Sequence, residues 1–293
     1  MAAEHRDGLD SDGRGERADG AAPGADIDPG SESPLAVALA SRDREVMQMV
    51  REAVASRSVR LAYQPVVQAG ATGNIAFHEG LIRLLDRAGR VIPARDFIET
   101  VESTELGRRI DCLALELGLQ TLRQQPGIRL SINMSARSIG YAPWLDTLRR
   151  GLAGAPTLGE RLILEVTESS AMGMPEVVAA FMRDLQVQGV AFALDDFGAG
   201  FTSFRYLREF LFDIVKIDGQ FIRGIAEDGD NQVLVTALVT IARHFDMFTV
   251  AESVETAEDA ARCTAMGVTC LQGYHFGAPS LRPAWATAAR LTA

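Results

Sequence analysis

Eight short apolar segments alternate with helix-patterned stretches along most of the chain, and this alternation constrains the fold more than any other feature. Several segments are apolar throughout rather than at alternate positions, which indicates strands that are covered on both faces, as in parallel sheets. The stretches between them often end at glycine, as helices do. The predicted strands cover residues 61–67, 75–84, 128–135, 161–168, 190–198, 212–219, 247–255 and 268–277.

The number and order of these segments favour a closed barrel. Eight strands in about 230 residues fit an α/β fold of the TIM-like (β/α)8 type. An open doubly wound sheet is the alternative, but no glycine-rich phosphate loop follows the first predicted strand. A short glycine-containing turn joins strands 61–67 and 75–84 and leaves no room for a helix, so this pair should be antiparallel. The prediction is a modified TIM-like (β/α)8 barrel with an antiparallel first strand.

The amino-terminal region differs in composition from the rest of the chain. Residues 1–34 contain nine acids and three arginines, so they carry −6 of the formal net charge of −10, and they have almost no large apolar side chains. Such a segment cannot offset its ordering entropy by burial, which predicts a disordered acidic tail. Residues 35–57 repeat apolar side chains at helical spacing and are predicted to form an amphipathic helix. The barrel domain is expected over residues 58–293.

Composition also excludes several functional classes. The chain has 39 acidic and 29 basic residues, and no broad basic surface for duplex nucleic acid is evident. No apolar run approaches the about 18–20 residues of a membrane span, and no signal-peptide pattern is present. The three cysteines, Cys112, Cys263 and Cys270, lack metal-like spacing and indicate reduced thiols. A cytoplasmic protein without a membrane segment is therefore expected.

Polar side chains recur toward the carboxyl ends of seven predicted strands. In a barrel these ends meet at one mouth, where active sites lie. One carboxylate at a strand end is usually a solvated cap, but the same pattern on seven strands indicates a common site. The residues concerned are Glu79, Asn133, Glu165, Glu168, Asp195, Asp196, Lys216, Glu252, Glu255 and Gln272.

The chemistry of this set points to divalent cations. Carboxylates with an amide, and without histidine or cysteine, suit Mg²⁺ or Mn²⁺ better than Zn²⁺. Without a cation, so many acids in one mouth would repel each other and some would take up protons. Adjacent aspartates such as Asp195 and Asp196 let one acid bridge two ions while the next binds only the second, as two-metal hydrolysis requires. A phosphoester is the substrate that fits such a site.

Lys216 is the single lysine among the 29 basic residues of the chain. An ammonium is a compact point charge and a guanidinium is a planar fork, so Lys216 is expected to do something that arginine cannot. It follows Asp195 by 21 residues, about one strand–helix–strand step, which places the two side by side. The position fits both an ion pair with Asp195 or Asp196 and a contact to a water or a phosphate oxygen.

The ordered motifs resemble those of the bacterial EAL-domain phosphodiesterases. They are QPVV (64–67), EGLIR (79–83), NMS (133–135), EVTE (165–168), DDFGAG (195–200), VKID (215–218), AESVE (251–255) and QGYHFG (272–277). This resemblance implies a modified α/β barrel with an antiparallel first strand. It also implies hydrolysis of cyclic di-GMP to linear pGpG with Mg²⁺ or Mn²⁺, two ions per site.

The resemblance further implies a role for each matching residue. Ligands of the first ion would be Glu79, Asn133, Glu165 and Asp195, and those of the second would be Asp195, Asp196 and Glu252. Lys216 would orient the nucleophilic water, Glu168 would anchor the loop after Asp196, and Glu255 and Gln272 would complete the pocket. Arg83 would contact a substrate phosphate, and Gln64 would contact the nucleotide.

Three residues depart from the family pattern without removing a ligand. Gly80 stands where the family has alanine, which predicts looser packing beside Glu79. Ala199 replaces a common threonine in the DDFGAG loop, and Ser253 replaces a frequent glycine at a position where tight backbone needs one. These changes bear on the turnover rate more than on the chemistry.

Two other functional classes stay open at the sequence level. One is a cyclic di-GMP receptor or protein-interaction regulator that binds without catalysis, and the other is a different metal-dependent barrel enzyme, such as one that stabilises an enolate. A homodimer is expected because the family commonly dimerises through the region after the DDFGAG loop, which here holds Phe201, Phe204, Tyr206 and Phe210. A regulatory protein partner is a further expectation.

Overall fold

The chain forms a closed eight-stranded barrel with one additional edge strand. The structure, a computed structural model, describes residues 33–155, 157–199, 207 and 209–288. The fold prediction is confirmed, but the short edge strand β3 was not predicted. The strands are β1 (Val59–Gln68), β2 (Ala71–Leu85), β3 (Val91–Pro93), β4 (Leu130–Asn133), β5 (Leu162–Thr167), β6 (Ala191–Phe197), β7 (Ile214–Ile217), β8 (Phe248–Ala251) and β9 (Cys270–Leu271).

Helices follow most of the strands. They are α1 (Pro34–Ala55), α2 (Ile98–Val101), α3 (Glu105–Gln124), α4 (Ala142–Leu152), α5 (Glu168–Gly173), α6 (Pro175–Gln186), α7 (Gly229–His244), α8 (Ala257–Ala265) and α9 (Ala284–Ala288), with short 3-10 helices at Ala94–Asp96, Ala136–Ser138 and Gly159–Arg161. Four of them begin after a Thr or Asp side chain that accepts a backbone hydrogen bond in the first turn: Thr104, Thr167, Asp228 and Thr256. Among the described helices, none combines the length and apolar character needed to cross a membrane.

The strand order explains how the barrel closes. Neighbours in the sheet run β1-β9-β8-β7-β6-β5-β4-β2-β3, and β1 also pairs with β2. Strands β2 and β4–β9 are parallel, whereas β1 is antiparallel to both of its neighbours. Only two residues separate β1 from β2, which is too few for a crossover helix. The predicted antiparallel first strand is therefore confirmed, and its cause is this tight connection.

The barrel belongs to the second of two units, Arg42–Ala293, and the first unit is Met1–Ser41. Within the second unit, α1 contributes Val50, Ala53 and Val54 to the largest apolar cluster, together with residues of β1, β2 and α3. The predicted tail lies almost wholly outside the described residues, as do Phe201, Phe204 and Tyr206 of the expected dimer region. Phe210 is buried and packs against Phe212 at a ring distance of 5.3 Å.

Gly80 lies in tightly packed surroundings, contrary to the looser packing expected beside Glu79. A Cβ at this position would lie 2.7 Å from Cδ1 of Ile132, and one at Gly118 would lie 2.8 Å from the same atom. Ile132 is 1% exposed and occupies the space between β2 and α3 that both glycines leave. Cδ1 of Ile132 on β4 thus fills the space that an alanine methyl group would occupy, and the described residues beside Glu79 leave no void there.

We predict that Gly80→Ala destabilises the protein by about 1–3 kcal/mol, because the added methyl overpacks the site. Ile132→Val removes Cδ1 and should by itself cost about 0.5–1.5 kcal/mol. Combined, the two changes should cost less than their sum, because the new methyl fills the vacated space. Urea unfolding of the four proteins measures this coupling. Strictly additive losses would show that Ile132 does not substitute for the alanine methyl.

Candidate active site

The buried ammonium of Lys216 is the centre of the site. It lies on β7 with 1% of its side chain exposed, and its Nζ contacts carboxylates that arise from four other parts of the barrel. The distances are 3.6 Å to Glu79, 3.0 Å to Glu165, 3.0 Å to Asp195 and 2.8 Å to Glu252. Of the two ion pairs that the sequence allowed, the one with Asp195 is present, and Asp196 makes no ion pair with Lys216 within 4.0 Å in the described structure.

An amide layer supports this cluster on the β1 side. Asn133 Nδ2 donates to Glu79 at 3.0 Å, and Gln272 Nε2 donates to the other oxygen of Glu79 at 2.5 Å. Gln272 Nε2 also lies 3.2 Å from Gln64 Oε1, and Gln64 Nε2 donates to the carbonyl of Gly277. The pairing of Gln64 opposite Glu79 in the β1–β2 hairpin brings these side chains together. Both oxygens of Glu79 are therefore fixed by donors.

A β-bulge brings the adjacent acids Asp195 and Asp196 into one site. Neighbours on a regular strand point to opposite faces, so alternation alone would separate their carboxylates. The β6–β7 pairing slips between Leu194 and Phe197, which inserts one extra residue, and Asp196 has a left-handed φ of 57°. As a result, carboxylate oxygens of Asp195, Asp196 and Glu252 lie within 4.8 Å of one another.

The loop after this bulge is tied to the first residue of α5. Gly198 N donates to Oε2 of buried Glu168 at 3.0 Å, and Ala199 N donates to the Asp196 carbonyl. Gly198 has a φ of 94°, a conformation that favours glycine. The structure thus places Glu168 against the loop that the sequence analysis assigned to it, and backbone turns hold the loop at Ala199.

Arg83 and Glu255 lie four and three residues beyond Glu79 and Glu252, toward the rim of the mouth. Arg83 is half-buried on β2, where Glu79, Leu81 and Arg83 share one face by alternation, and its Nη1 donates to the carbonyl of Ile82. Glu255 follows β8 and is exposed at the rim, with its carboxylate 3.9 Å from Nε of Arg223. Both residues border the mouth without contacting Lys216 in the described structure.

The cluster carries more negative charge than one ammonium can balance. Burial opposes the charge on Lys216, but the four carboxylates outweigh it and raise the pKa of the ammonium well above its usual value. Burial, with repulsion from Glu79 and Asp195, raises the pKa of Glu165 to about 8. Burial and Asp195 likewise raise the pKa of Glu252. Some of these carboxyls therefore hold protons at neutral pH.

The remaining acids differ according to their partners. Burial and the neighbouring Asp195 raise the pKa of Asp196 to about 6. Burial alone would raise the pKa of Glu79, but Lys216 and hydrogen bonds from Gln272 and Asn133 lower it overall. The pKa of Glu79 is thus lowered, which favours its ionised form. The raised pKa values of Glu165, Asp196 and Glu252, in contrast, show a need for further positive charge.

These residues fit divalent cations. Oε1 of Glu165 is buried and has no hydrogen-bond partner in the described part of the chain, so an acceptor that cannot reach water is left over. Carboxylate oxygens without histidine or cysteine form a hard donor set, typical of Mg²⁺ or Mn²⁺ sites. The close group of Asp195, Asp196 and Glu252 provides a second cluster of such oxygens. The carboxyls whose pKa values are raised, because too little positive charge lies near them, are the ones that a bound cation would ionise.

Asp111 is a positioning residue that the sequence analysis missed. It lies on α3, and its Oδ2 accepts hydrogen bonds from the Ser138 hydroxyl at 2.6 Å and from Ser135 N at 3.1 Å. These contacts hold the segment that follows Asn133 at the end of β4. Burial raises the pKa of Asp111 to about 7. No strand-end pattern marks this aspartate, because it acts from a helix on the outside of the barrel.

A small cavity adjoins the cluster on the β1, β8 and β9 side. Its volume is about 230 Å³, and its walls include Glu79, Glu252, Gln64, Gln272 and Arg223. Arg223 lies in the turn region after β7, and its Nη2 donates to the Ser253 hydroxyl at 3.1 Å. No strand-end pattern marks Arg223 in the sequence, because it lies seven residues beyond Lys216.

We predict that binding of Mn²⁺ to the protein releases about one proton or more near pH 7, because the cation ionises carboxyls whose pKa values are raised. These acids bind protons more tightly in the folded, metal-free protein, so the apparent affinity for Mn²⁺ should rise with pH between about 6 and 8. Calorimetric titrations in buffers of different ionisation enthalpy count the protons. Glu252→Gln should release fewer of them. Metal binding without proton release across this range would contradict the assigned electrostatics.

Comparisons with known proteins agree with this geometry. The model of the EAL domain family matches residues 47–279. The cyclic di-GMP phosphodiesterase PdeB of Shewanella oneidensis is 31% identical over 237 residues, which are 78% of this chain and 27% of PdeB. The cyclic di-GMP phosphodiesterase PdeF of Escherichia coli is 30% identical over 238 residues, with coverage of 80% and 32%. The chain thus spans about a quarter to a third of the length of these relatives.

Solved structures show the same barrel. The structure of the PaMucR phosphodiesterase in complex with c-di-GMP superposes with a TM-score of 0.74 at 31% identity and covers 83% of this chain and 99% of that one. The FimX EAL domain of Xanthomonas citri, in complex with c-di-GMP, gives a TM-score of 0.73 at 26% identity, with coverage of 84% and 98%. The family model covers most of the described barrel, including every strand. The chain belongs to the EAL domain family.

Proposed function

We propose that this chain hydrolyses cyclic di-GMP to linear pGpG with two Mg²⁺ or Mn²⁺ ions. The observation that carries the proposal is the buried Lys216 ammonium among four carboxylates, beside the bulged pair Asp195–Asp196. Relatives named cyclic di-GMP phosphodiesterases match most of the chain, and a related structure contains c-di-GMP. The set of acids, amide and lysine that the reaction needs is complete here.

The chain's own residues divide into two ligand groups. Glu79, Asn133, Glu165 and Asp195 would hold one ion, and Asp195, Asp196 and Glu252 would hold the other, with Asp195 shared. When bound, such ions supply Lewis acidity and lower the pKa of water. Glu168 keeps the bulge in place through Gly198, so the spacing of the two aspartates is maintained. Gln272 fixes the orientation of Glu79.

The reaction itself is a displacement at phosphorus. A water oxygen forms a bond to one phosphorus, the bond from that phosphorus to a ribose 3′ oxygen breaks, and the 3′ oxygen takes a proton. Lys216 would donate a hydrogen bond to the attacking water or to a phosphate oxygen and so stabilise the charge that develops. Arg83 would contact a substrate phosphate, and Gln64 would contact the nucleotide. Glu255 and Gln272 would complete the pocket. The product is an opened dinucleotide with a terminal phosphate.

Turnover can be tested directly on the full chain. Purified protein incubated with cyclic di-GMP and Mg²⁺ or Mn²⁺ should convert it to pGpG, as followed by nucleotide chromatography. Asp195→Asn should lower the activity more than about 100-fold, because Asp195 is the ligand shared by both ions. Loss of a residue that only hydrogen-bonds a metal ligand costs about 10- to 100-fold. Asp184→Asn, an exposed change on α6, is the matched control and should keep full activity.

Each outcome of that assay has a distinct meaning. Intact cyclic di-GMP from folded, metal-loaded protein overturns the hydrolase proposal. Tight calorimetric binding of the dinucleotide without turnover would identify a receptor instead. Activity on a carboxylate or sugar substrate, with none on cyclic di-GMP, would identify another metal-dependent barrel enzyme, such as one that stabilises an enolate.

Lys216→Arg should lower kcat by at least about 100-fold. The positive charge is kept, but a planar guanidinium cannot occupy the place of an ammonium among four carboxylates. Steady-state kinetics gives the loss, and far-ultraviolet circular dichroism should show an unchanged fold. Lys216→Met, which keeps the stem and removes the charge, is the companion variant and should be at least as impaired. Wild-type kinetics for the arginine variant would show that the lysine is incidental.

The assembly and location of the protein stay predictions. A homodimer, a regulatory protein partner and a cytoplasmic location are proposed from the sequence and the family. Residues 200–206, where the dimer surface is expected, lie outside the described residues.

A further inference from the structure

Arg223 introduces positive charge into a cavity whose other charged walls are acidic. The cavity of about 230 Å³ is lined by carboxylates of Glu79, Glu252 and Glu255, and Arg223 is the one basic residue among its described lining residues. Drug-sized ligands occupy cavities of about 300–1,000 Å³. This space therefore suits one part of a dinucleotide, such as a single base, beside the reacting phosphate.

The guanidinium is oriented from one side. Its Nη2 donates to Oγ of Ser253 at 3.1 Å, and its Nε lies 3.9 Å from a Glu255 oxygen. The backbone N of Arg223 donates to the Gly219 carbonyl, which fixes the turn that carries it. Nη1 has no hydrogen-bond partner among the residues described, although the side chain is exposed toward the mouth. Arg223 therefore lines the cavity with its guanidinium held at Nη2 by Ser253.

Ser253 has a backbone conformation that glycine would adopt at lower cost. Its φ is 55°, in the left-handed region where a non-glycine residue is strained. Its hydroxyl accepts the hydrogen bond from Arg223 and makes no other hydrogen bond to the described residues. The hydrogen bond that orients Arg223 is therefore the one interaction of the Ser253 side chain that could offset this strain. Ser253 is also the position at which the chain departs from the family's frequent glycine.

The surroundings favour a base over a phosphate as the partner of Arg223. A phosphate beside Arg223 would bring negative charge toward Glu255, which lies outside both proposed ion-binding groups, whereas a neutral base would not. An arginine fork donates to two acceptors at once, and guanine offers such a pair in O6 and N7. Adenine presents an amino donor at the position of O6, so the same fork discriminates against it.

We propose that Arg223, held by Ser253, donates to O6 and N7 of one guanine of the substrate and selects guanine over adenine dinucleotides. The inference rests on the proposed function, since it names how the same site recognises its substrate. Arg223 is a binding residue here and Ser253 is a positioning residue. Neither takes part in the reaction at phosphorus.

The test compares kcat/KM for cyclic di-GMP and cyclic di-AMP. Arg223→Ala should lower the guanine-to-adenine ratio about 10- to 100-fold, through a higher KM for cyclic di-GMP. Arg262→Ala, an exposed arginine on α8, is the matched control and should leave the ratio unchanged. An equal loss with both dinucleotides, or no loss, overturns guanine recognition by Arg223.

Two further variants separate base recognition from simple charge. Arg223→Lys should not restore the ratio, because a lysine donates as a point charge rather than as a fork. Equal recovery of kcat/KM with both dinucleotides in the lysine variant would indicate a phosphate contact and contradict the proposal. Ser253→Gly keeps the left-handed backbone but loses the hydroxyl, so it should lower the ratio severalfold without changing the fold. An unchanged ratio for this variant would remove the positioning role.

Equilibrium binding separates failure of this inference from failure of the proposed function. Calorimetry of each dinucleotide with Mg²⁺-loaded protein in the Lys216→Met background, where turnover is impaired, should show the same loss of selectivity when Arg223→Ala is added. If the wild type binds cyclic di-GMP without hydrolysing it, the hydrolase proposal fails and the binding ratio still decides on Arg223. A wild type that neither binds nor hydrolyses cyclic di-GMP contradicts both.

Discussion

The contact between one buried ammonium and four carboxylates is the constraint on which the site depends. Lys216 is nearly inaccessible to solvent, and an unpaired charge at that depth would be very unfavourable. Four carboxylates surround this one ammonium, so they more than neutralise it and leave an excess of negative charge in the same buried volume. Protons can reduce this excess, as the raised pKa values of Glu165 and Glu252 show, but divalent cations offset it more completely. The site thus has an excess of negative charge that bound divalent cations would offset.

Two irregularities of the barrel make this convergence possible. The parallel strands direct Glu165, Asp195 and Lys216 toward one mouth, as any such barrel would. The reversed strand β1 adds Gln64 from the opposite chain direction, so an amide rather than another acid lies beside Glu79 and Gln272. The bulge in β6 then turns two adjacent aspartates to one site. Regular alternation would have provided only one of them.

The sequence predicted much of this arrangement because its signals are local. Apolar segments marked the strands, a short glycine-containing turn left no room for a helix between the first two, and polar residues at strand ends identified the mouth. The single lysine was informative because arginine replaces lysine everywhere else in the chain. Strand β3 escaped prediction because three residues that pair only with the end of β2 carry almost no periodic signal.

Other features depend on contacts between distant parts of the chain, which no periodic pattern records. Ile132 fills the space beside Gly80 only because β4 and α3 both pack there, so the loss of a methyl group looked like a defect in the sequence. Asp111 supports the segment after Asn133 from a helix outside the barrel. The left-handed φ of Asp196 could be anticipated only in part, since aspartate tolerates that conformation better than most residues.

The same charge imbalance bears on substrate recognition. Cations at the carboxylates offset the charge of one phosphate, but they leave Glu255 and the outer wall of the neighbouring cavity acidic. The phosphates of a dinucleotide would therefore be attracted to the ions and repelled by the acidic rim. This repulsion is avoided where the rim contacts an uncharged part of the dinucleotide. A neutral base next to an oriented guanidinium satisfies that condition, and the strained serine beside Arg223 is then explained by the need for orientation. The proposed catalysis and the proposed selectivity would both follow from one source, the placement of few positive groups among many negative ones.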